Sequence, residues 1–190
     1  PIIAVTGTNG NLLTRTAVAT TSNGDALFLS NATGGTTNMY INMPFQVDSQ
    51  IGGLNPSYPT LETYYVASLE TISVDVTNTS SSTNRLTCAD TIGFYEGMTI
   101  YFTGAVFGGI VALSSYSVLS VISSTQFTIT TDGVTPVTLT TDNGGMTLVA
   151  DDPYITLTDT SGDPAIALTD DVIPSIFNQY PTAVPEFNIG

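Results

Sequence analysis

The sequence predicts an all-β protein, and three observations carry that expectation. Apolar residues alternate with Thr, Ser and other polar residues at period two along many short runs. Clusters of Gly, Asn, Asp and Pro separate those runs at the spacing of a sandwich or barrel. The best exposed helix formers are scarce: Lys is absent, Glu is rare, and no segment holds a 3.6-residue period beyond about two turns. Strands with one apolar and one polar face belong to antiparallel sheets. The expected architecture is therefore two small tandem antiparallel β-sandwich or barrel-like modules plus an extended C-terminal arm.

Each element rests on its own residues. Ile72, Val74 and Val76 alternate with Ser73 and Asp75, and Phe127 and Ile129 alternate with Gln126, Thr128 and Thr130. Val137 with Leu139, and Ile155 with Leu157, repeat the scheme with Thr between them. Thr8-Asn9-Gly10, Ser22-Asn23-Gly24-Asp25, Gly34-Gly35, Asp132-Gly133, Asp142-Asn143-Gly144-Gly145 and Gly162-Asp163-Pro164 supply the turns. The chain also repeats itself. Met43-Pro44-Phe45-Gln46-Val47, Gly52-Gly53 and Tyr64-Tyr65-Val66 recur as Met98-Thr99-Ile100-Tyr101-Phe102, Gly108-Gly109 and Tyr116-Ser117-Val118. The offsets are 55 from Met43 to Met98, 56 from Gly52 to Gly108 and 52 from Tyr64 to Tyr116, with a longer Leu54–Thr60 loop in the first copy. Residues 1–76 read as a diverged first copy and 77–150 as the second, divided at the polar stretch Thr77–Thr83. Residues 151–190 read as an acidic, turn-rich segment followed by a proline-broken arm, because Pro174, Pro181 and Pro185 exclude a central strand.

Composition narrows the function classes. The 190 residues carry 16 acids, two arginines, no lysine and no histidine, for a formal charge of −14. Without histidine there is no Ser-His-Asp triad, Cys-His pair or histidine metal ligand. Two cations cannot support sequence-wide nucleic-acid binding, so nucleic acid is not an expected partner. No apolar run approaches the length of a membrane helix, and no membrane partner is expected. With 42% hydrophobic residues and only 9% charged, the chain is not of disordered composition. Opening on Pro1, it reads as a processed chain or a fragment.

Half of the acids lie between Asp132 and Asp171, and among them Asp151-Asp152, Asp159, Asp163 and Asp170-Asp171 are the one catalytic-looking feature. Paired carboxylates cleave glycosides, but these acids sit in turn contexts and no tryptophan offers a sugar platform. No enzymatic activity and no cofactor are expected. Calcium at an irregular loop built on Asp159 and Asp163, or on Asp151 and Asp152, is the metal alternative, since a hard cation takes carboxylate and backbone oxygens. Cys88 has no base to activate it and reads as a small buried residue. Arg15 and Arg85 are expected in ordinary ion pairs. Gly52-Gly53 and Gly108-Gly109 read as tight loops or bulges.

Glu96-Gly97-Met98-Thr99-Ile100-Tyr101-Phe102-Thr103-Gly104, Phe107-Gly108-Gly109-Ile110, Tyr116-Ser117-Val118 and Ser123-Ser124-Thr125-Gln126-Phe127-Thr128-Ile129 follow one another in the second copy. This stretch resembles a repeat, G-M-x-I-x-F-x-G, F-G-G-[IL], Y-Y-V and S-S-T-Q-F-T-[IL], of large structural proteins of tailed phages, especially marine and cyanobacterial ones. The first copy departs from it, with Gln50-Ile51-Gly52-Gly53 for Phe-Gly-Gly and no S-T-Q-F. The resemblance implies a non-enzymatic virion protein of the tail, baseplate, fibre or capsid decoration. Its partners would be other virion proteins and copies of itself. The apolar residues Ile173, Ile176, Phe177, Tyr180, Phe187 and Ile189 are the expected docking arm. A receptor- or glycan-binding fibre domain is the alternative, with Tyr40, Tyr58, Tyr64 and Tyr65 as stacking platforms.

Overall fold

The alternating runs become strands in a computed structural model that describes residues 2–6, 12–55, 62–159 and 166–173. In chain order these are β1 (Ile2–Thr6), β2 (Leu12–Thr21), β3 (Ala26–Leu29), β4 (Pro44–Val47), β5 (Tyr64–Glu70), β6 (Ser73–Ser80) and β7 (Arg85–Cys88). There follow β8 (Thr99–Gly104), β9 (Tyr116–Ser123), β10 (Gln126–Thr130), β11 (Met146–Ala150), β12 (Tyr154–Thr158) and β13 (Asp171–Val172). All pairings are antiparallel, so the all-β class holds. The run at Val137 and Leu139 is extended but joins no ladder strand. Val137 N–H donates to Ile129 O at 2.8 Å, and Leu139 N–H to Asn84 Oδ1 at 3.0 Å.

The strands close into two rings. One runs β6-β7-β10-β9-β8-β11 and back to β6. The other runs β2-β3-β12-β5-β4-β1 and back to β2, with β13 added outside β2. Closure leaves few exposed edges for unwanted pairing. The rings have the same topology if β2, β3, β4, β5, β12 and β1 are matched to β6, β7, β8, β9, β10 and β11. Register confirms the match pair by pair. Ala17 faces Leu29 and Ala19 faces Phe28 across a bulge, as Val76 faces Cys88 and Asn78 faces Thr87 across another. Phe45 faces Tyr64 as Ile100 faces Tyr116. The β5–β12 ladder breaks register between Thr156 and Leu157, and β9–β10 breaks between Thr128 and Ile129.

Hydrogen bonds outside the ladders repeat as well. Tyr64 Oη accepts from Asn55 N–H at 3.0 Å, and Tyr116 Oη from Val111 N–H at 2.9 Å. Thr20 Oγ1 donates to Thr169 O and Thr79 Oγ1 to Thr141 O, each at 2.7 Å. The glycine pairs sit where these straps cross the ring. Gly52 has φ 57, and a Cβ there would lie 2.2 Å from Thr20 Oγ1.

The division of the chain differs from the tandem boundaries expected at residues 76 and 150. A cut after residue 76 falls inside β6, and Thr77–Ser80 are strand rather than linker. Residues 154–158, expected in the acidic C-terminal segment, form a central strand of the first ring between β5 and β3. The second module, Ile72–Ala150, is thus inserted into the β5–β12 hairpin of the first. Its ends are held together by Ala150 N–H donating to Ile72 O at 2.9 Å. Sequence repetition revealed the copies but carries no information on which hairpin the second one interrupts.

Each ring encloses a core: Leu27, Leu29, Met43, Phe45, Val47, Val66, Ile155 and Leu157 in the first, and Leu86, Ile100, Phe102, Val118, Phe127, Ile129, Met146 and Leu148 in the second. The first ring is apolar outside as well where the second packs on it. Ala19, Ala26, Phe28 and Tyr154 stand where the second module has Asn78, Arg85, Thr87 and Gln126. All four strand positions of β3 are buried, whereas β7 alternates. The Phe28 ring meets Tyr95 edge-on at 5.0 Å and Tyr154 at 5.2 Å. Gly93 N–H donates to Asn23 O at 3.0 Å across the same seam. Phe28→Ala is expected to cost about 3–5 kcal/mol by cavity formation. Thr87→Ala, at the matching position, is expected to cost under about 1 kcal/mol. Urea midpoints compare the two.

Candidate interaction surfaces

The acids serve mainly as acceptors for backbone N–H groups that the ladders leave unpaired. Asp132 Oδ1 accepts from Val134 N–H at 2.9 Å and Thr135 N–H at 2.7 Å, and Thr130 Oγ1 adds a bond at 2.8 Å. The Thr135 and Val134 amides, with Thr130, hold this carboxyl far below the usual carboxylate range. Asp142 accepts from Ser81 N–H at 2.6 Å, which likewise lowers its pKa. Asp170 accepts from Ser22 N–H at 2.7 Å at the matching place in the first module. Asp152 accepts from Asn31 N–H at 2.7 Å, yet burial raises its pKa overall.

These are the turn roles that short acidic side chains favour. Asp159 lies exposed just beyond β12, while Asp163 lies outside the described residues. Among the described residues no group of three or more His, Cys, Asp or Glu side chains is placed to hold a metal ion.

Among the described residues the two arginines bond to neutral groups rather than in the expected ion pairs. Arg15 is buried and donates to backbone carbonyls, to Gly35 O at 2.8 Å, Thr14 O at 3.0 Å and Thr37 O. It thereby anchors the loop after β3. Arg85 donates to Gln126 Oε1 at 3.4 Å. Cys88 is buried, its thiol donating to Asp90 O at 2.9 Å, and burial with the nearby Asp90 charge pushes its pKa up to about 11.

Of the residues expected in the docking arm, only Ile173 is described. It is half-buried against the first core, and its N–H donates to Val18 O at 2.8 Å. Ile176, Phe177, Tyr180, Phe187 and Ile189 lie outside the described residues. Beside Ile173, an open groove of about 490 Å³ runs between the modules, lined by Thr21, Ser22, Phe94, Glu96, Asp170 and Val172. Tyr64 is buried with its hydroxyl bonded to Glu62 at 2.7 Å, Tyr65 is half-buried, Tyr40 is exposed, and Tyr58 lies outside the described residues.

A surface that the sequence reading missed lies between β8 and β9. Val111 is 58% and Leu113 73% exposed. Leu113 holds φ 61, a left-handed conformation unusual for leucine and costly to maintain. Two bonds fix the loop: Leu113 N–H to Phe102 O at 2.9 Å and Val111 N–H to Tyr116 Oη at 2.9 Å. Part of the sequence signal was present: Val111 falls where the first copy has Asn55, each N–H bonding the matching tyrosine.

Together, the fold and these surfaces define a duplicated six-stranded β-barrel with apolar loop residues presented on a rigid frame. No protein-family profile, curated protein or solved structure matches the chain.

Two solution tests follow from this chemistry. A carboxyl with a depressed folded pKa stabilises the fold above its unfolded value of about 4, and that contribution is lost as the pH falls. Wild-type urea midpoints should therefore drop between about pH 4 and 2, and Asp132→Asn should flatten the drop. The Cys88 thiol should resist a thiol reagent at pH 8 until the chain unfolds.

Proposed function

We propose that this chain is a non-enzymatic structural protein of a tailed-phage particle, acting through assembly contacts with other virion proteins and with copies of itself. What supports this reading is the resemblance of residues 96–129 to the phage repeat, together with the place they take in the fold. Residues Glu96–Ile129 span β8, β9 and β10 of a closed barrel, and their apolar tip, Val111 and Leu113, faces solvent on a strained, hydrogen-bonded loop. A rigid barrel with a protruding apolar tip is suited to docking, where a few central apolar residues dominate the binding energy. The duplicated module supports the same reading, because stacked copies of one barrel make a spacer of defined length.

Particles assembled with Val111→Asp/Leu113→Asp protein provide the test. Incorporation of the variant is expected to fall about tenfold or more, as loss of an apolar anchor implies. Its far-UV circular dichroism should be unchanged, since both positions are exposed. Normal incorporation, or absence of the wild-type chain from purified particles, would overturn the proposal.

A further inference from the structure

The seam between the barrels is not closed along its whole length. Gly93 N–H on Asn23 O at 3.0 Å and the Phe28–Tyr95 ring contact hold the two barrels together. Beside these contacts runs the open groove of about 490 Å³, with Ser22, Asp170 and Val172 contributed by the first barrel and Phe94, Glu96 and Val121 by the second. Tyr95 and Val172 also line a smaller pocket of about 170 Å³ that reaches Asp152. Every charged residue lining the two is acidic.

The acids here differ from those that only serve turns. Asp170 is held in place by Ser22, whose N–H and Oγ donate to Oδ1 at 2.7 and 2.9 Å. Among the described residues its Oδ2 and both oxygens of Glu96 take no hydrogen bond. Two uncommitted carboxylates thus stand on opposite sides of a groove whose other walls are apolar. Phe94 and Tyr95 add ring faces, to which a cation is attracted.

The composition of the chain decides what can fill such a groove. Its occupant needs cations beside apolar groups, and this chain has two arginines and no lysine. Arg15 is buried and bonded to backbone carbonyls, and Arg85 is half-buried and bonded to Gln126. Residues 174–190 carry Glu186 and neither lysine nor arginine. A second copy would bring −14 against −14. The complementary charge has to come from a different protein.

We propose that the seam groove docks a basic, apolar segment of another protein, its Lys or Arg cations meeting Glu96 and Asp170 and its apolar side chains covering Phe94, Val121 and Val172. Lysine and arginine suit both parts of the groove, because their stems lie on apolar surface while the charged head reaches a carboxylate. The walls are already fixed by the seam contacts, so little ordering is needed on the groove's side. This docking is independent of the particle reading.

The test uses the full chain and the peptide acetyl-Leu-Lys-Leu-Lys-Leu-Lys-amide at low salt, followed by backbone amide NMR shifts. Two companion peptides separate the parts of the recognition, one with Gln for Lys and one with Gly for Leu. The basic apolar peptide is expected to bind about tenfold more tightly than either companion, with shifts centred on residues 20–23, 94–96 and 121. Glu96→Gln/Asp170→Asn should weaken it about tenfold, since two partly desolvated charge pairs are lost. Asp75→Asn/Asp142→Asn removes the same charge elsewhere while keeping acceptors for Thr147 and Ser81, and should change binding less than about twofold. Equal losses in the two variants, equal binding of the glycine peptide, shifts centred outside the groove, or no measurable binding would each overturn the inference.

Discussion

The fold depends on β12 finding two partners, β5 and β3, from which the inserted module separates it in sequence. Tyr154 must lie opposite both Glu70 and Phe28 before the first barrel can close. Chain closure costs about 0.6 kcal/mol per doubling of loop length, so replacing a tight turn by this insertion adds about 2–3 kcal/mol if the insert is unstructured. Folding of the second barrel removes most of that cost, because Ile72 and Ala150 are hydrogen-bonded to each other at its base. The first barrel therefore inherits its closure from the second. The reverse dependence is weaker, since the strands of the second ring are contiguous in sequence from Ser73 to Ala150.

The seam between the barrels follows from the same arrangement. An insert attached by two short connections at one hairpin must lie against the outer face of the strands beside it. That face is β2, β3 and β12, where Ala19, Ala26, Phe28 and Tyr154 replace the polar residues of the second copy. Aromatic rings that meet edge-on add about 0.5–1.5 kcal/mol beyond the area they bury. The corresponding face of the second barrel, with Thr87, Arg85 and Gln126, keeps a polar strand surface, and among the described residues no further module packs on it. The array is asymmetric by composition as well as by connection.

Much of this was legible in the residues. Period-two alternation marked β6, β10 and β12, and the Met, Gly-Gly and Tyr landmarks marked β4, β5, β8 and β9 in their matching places. The tyrosine offset of 52, against 56 at the glycines, reflects a real difference in loop length, since the two tyrosines accept from the matching loop residues Asn55 and Val111. The insertion was not legible, because antiparallel pairing carries no label for its partner and Ile155 suits any inner face. The particular partners of Arg15 and of the turn acids were hidden for a related reason. They are backbone groups, which leave no trace in side-chain spacing. Of the exposed apolar pair, Val111 was readable only by comparing the copies position by position, which puts polar Asn55 at its place, and Leu113 lies where the two loops differ in length.

The central claim is that a complete barrel has been inserted into an interrupted one. Residues 71–151 alone, followed by far-UV circular dichroism through a urea titration, test it most directly. The account predicts a β spectrum that is lost in a single cooperative transition, with Cys88 unreactive before it and reactive after it. An unstructured spectrum, or a gradual transition with Cys88 reactive throughout, would contradict it and leave the two rings as one inseparable fold.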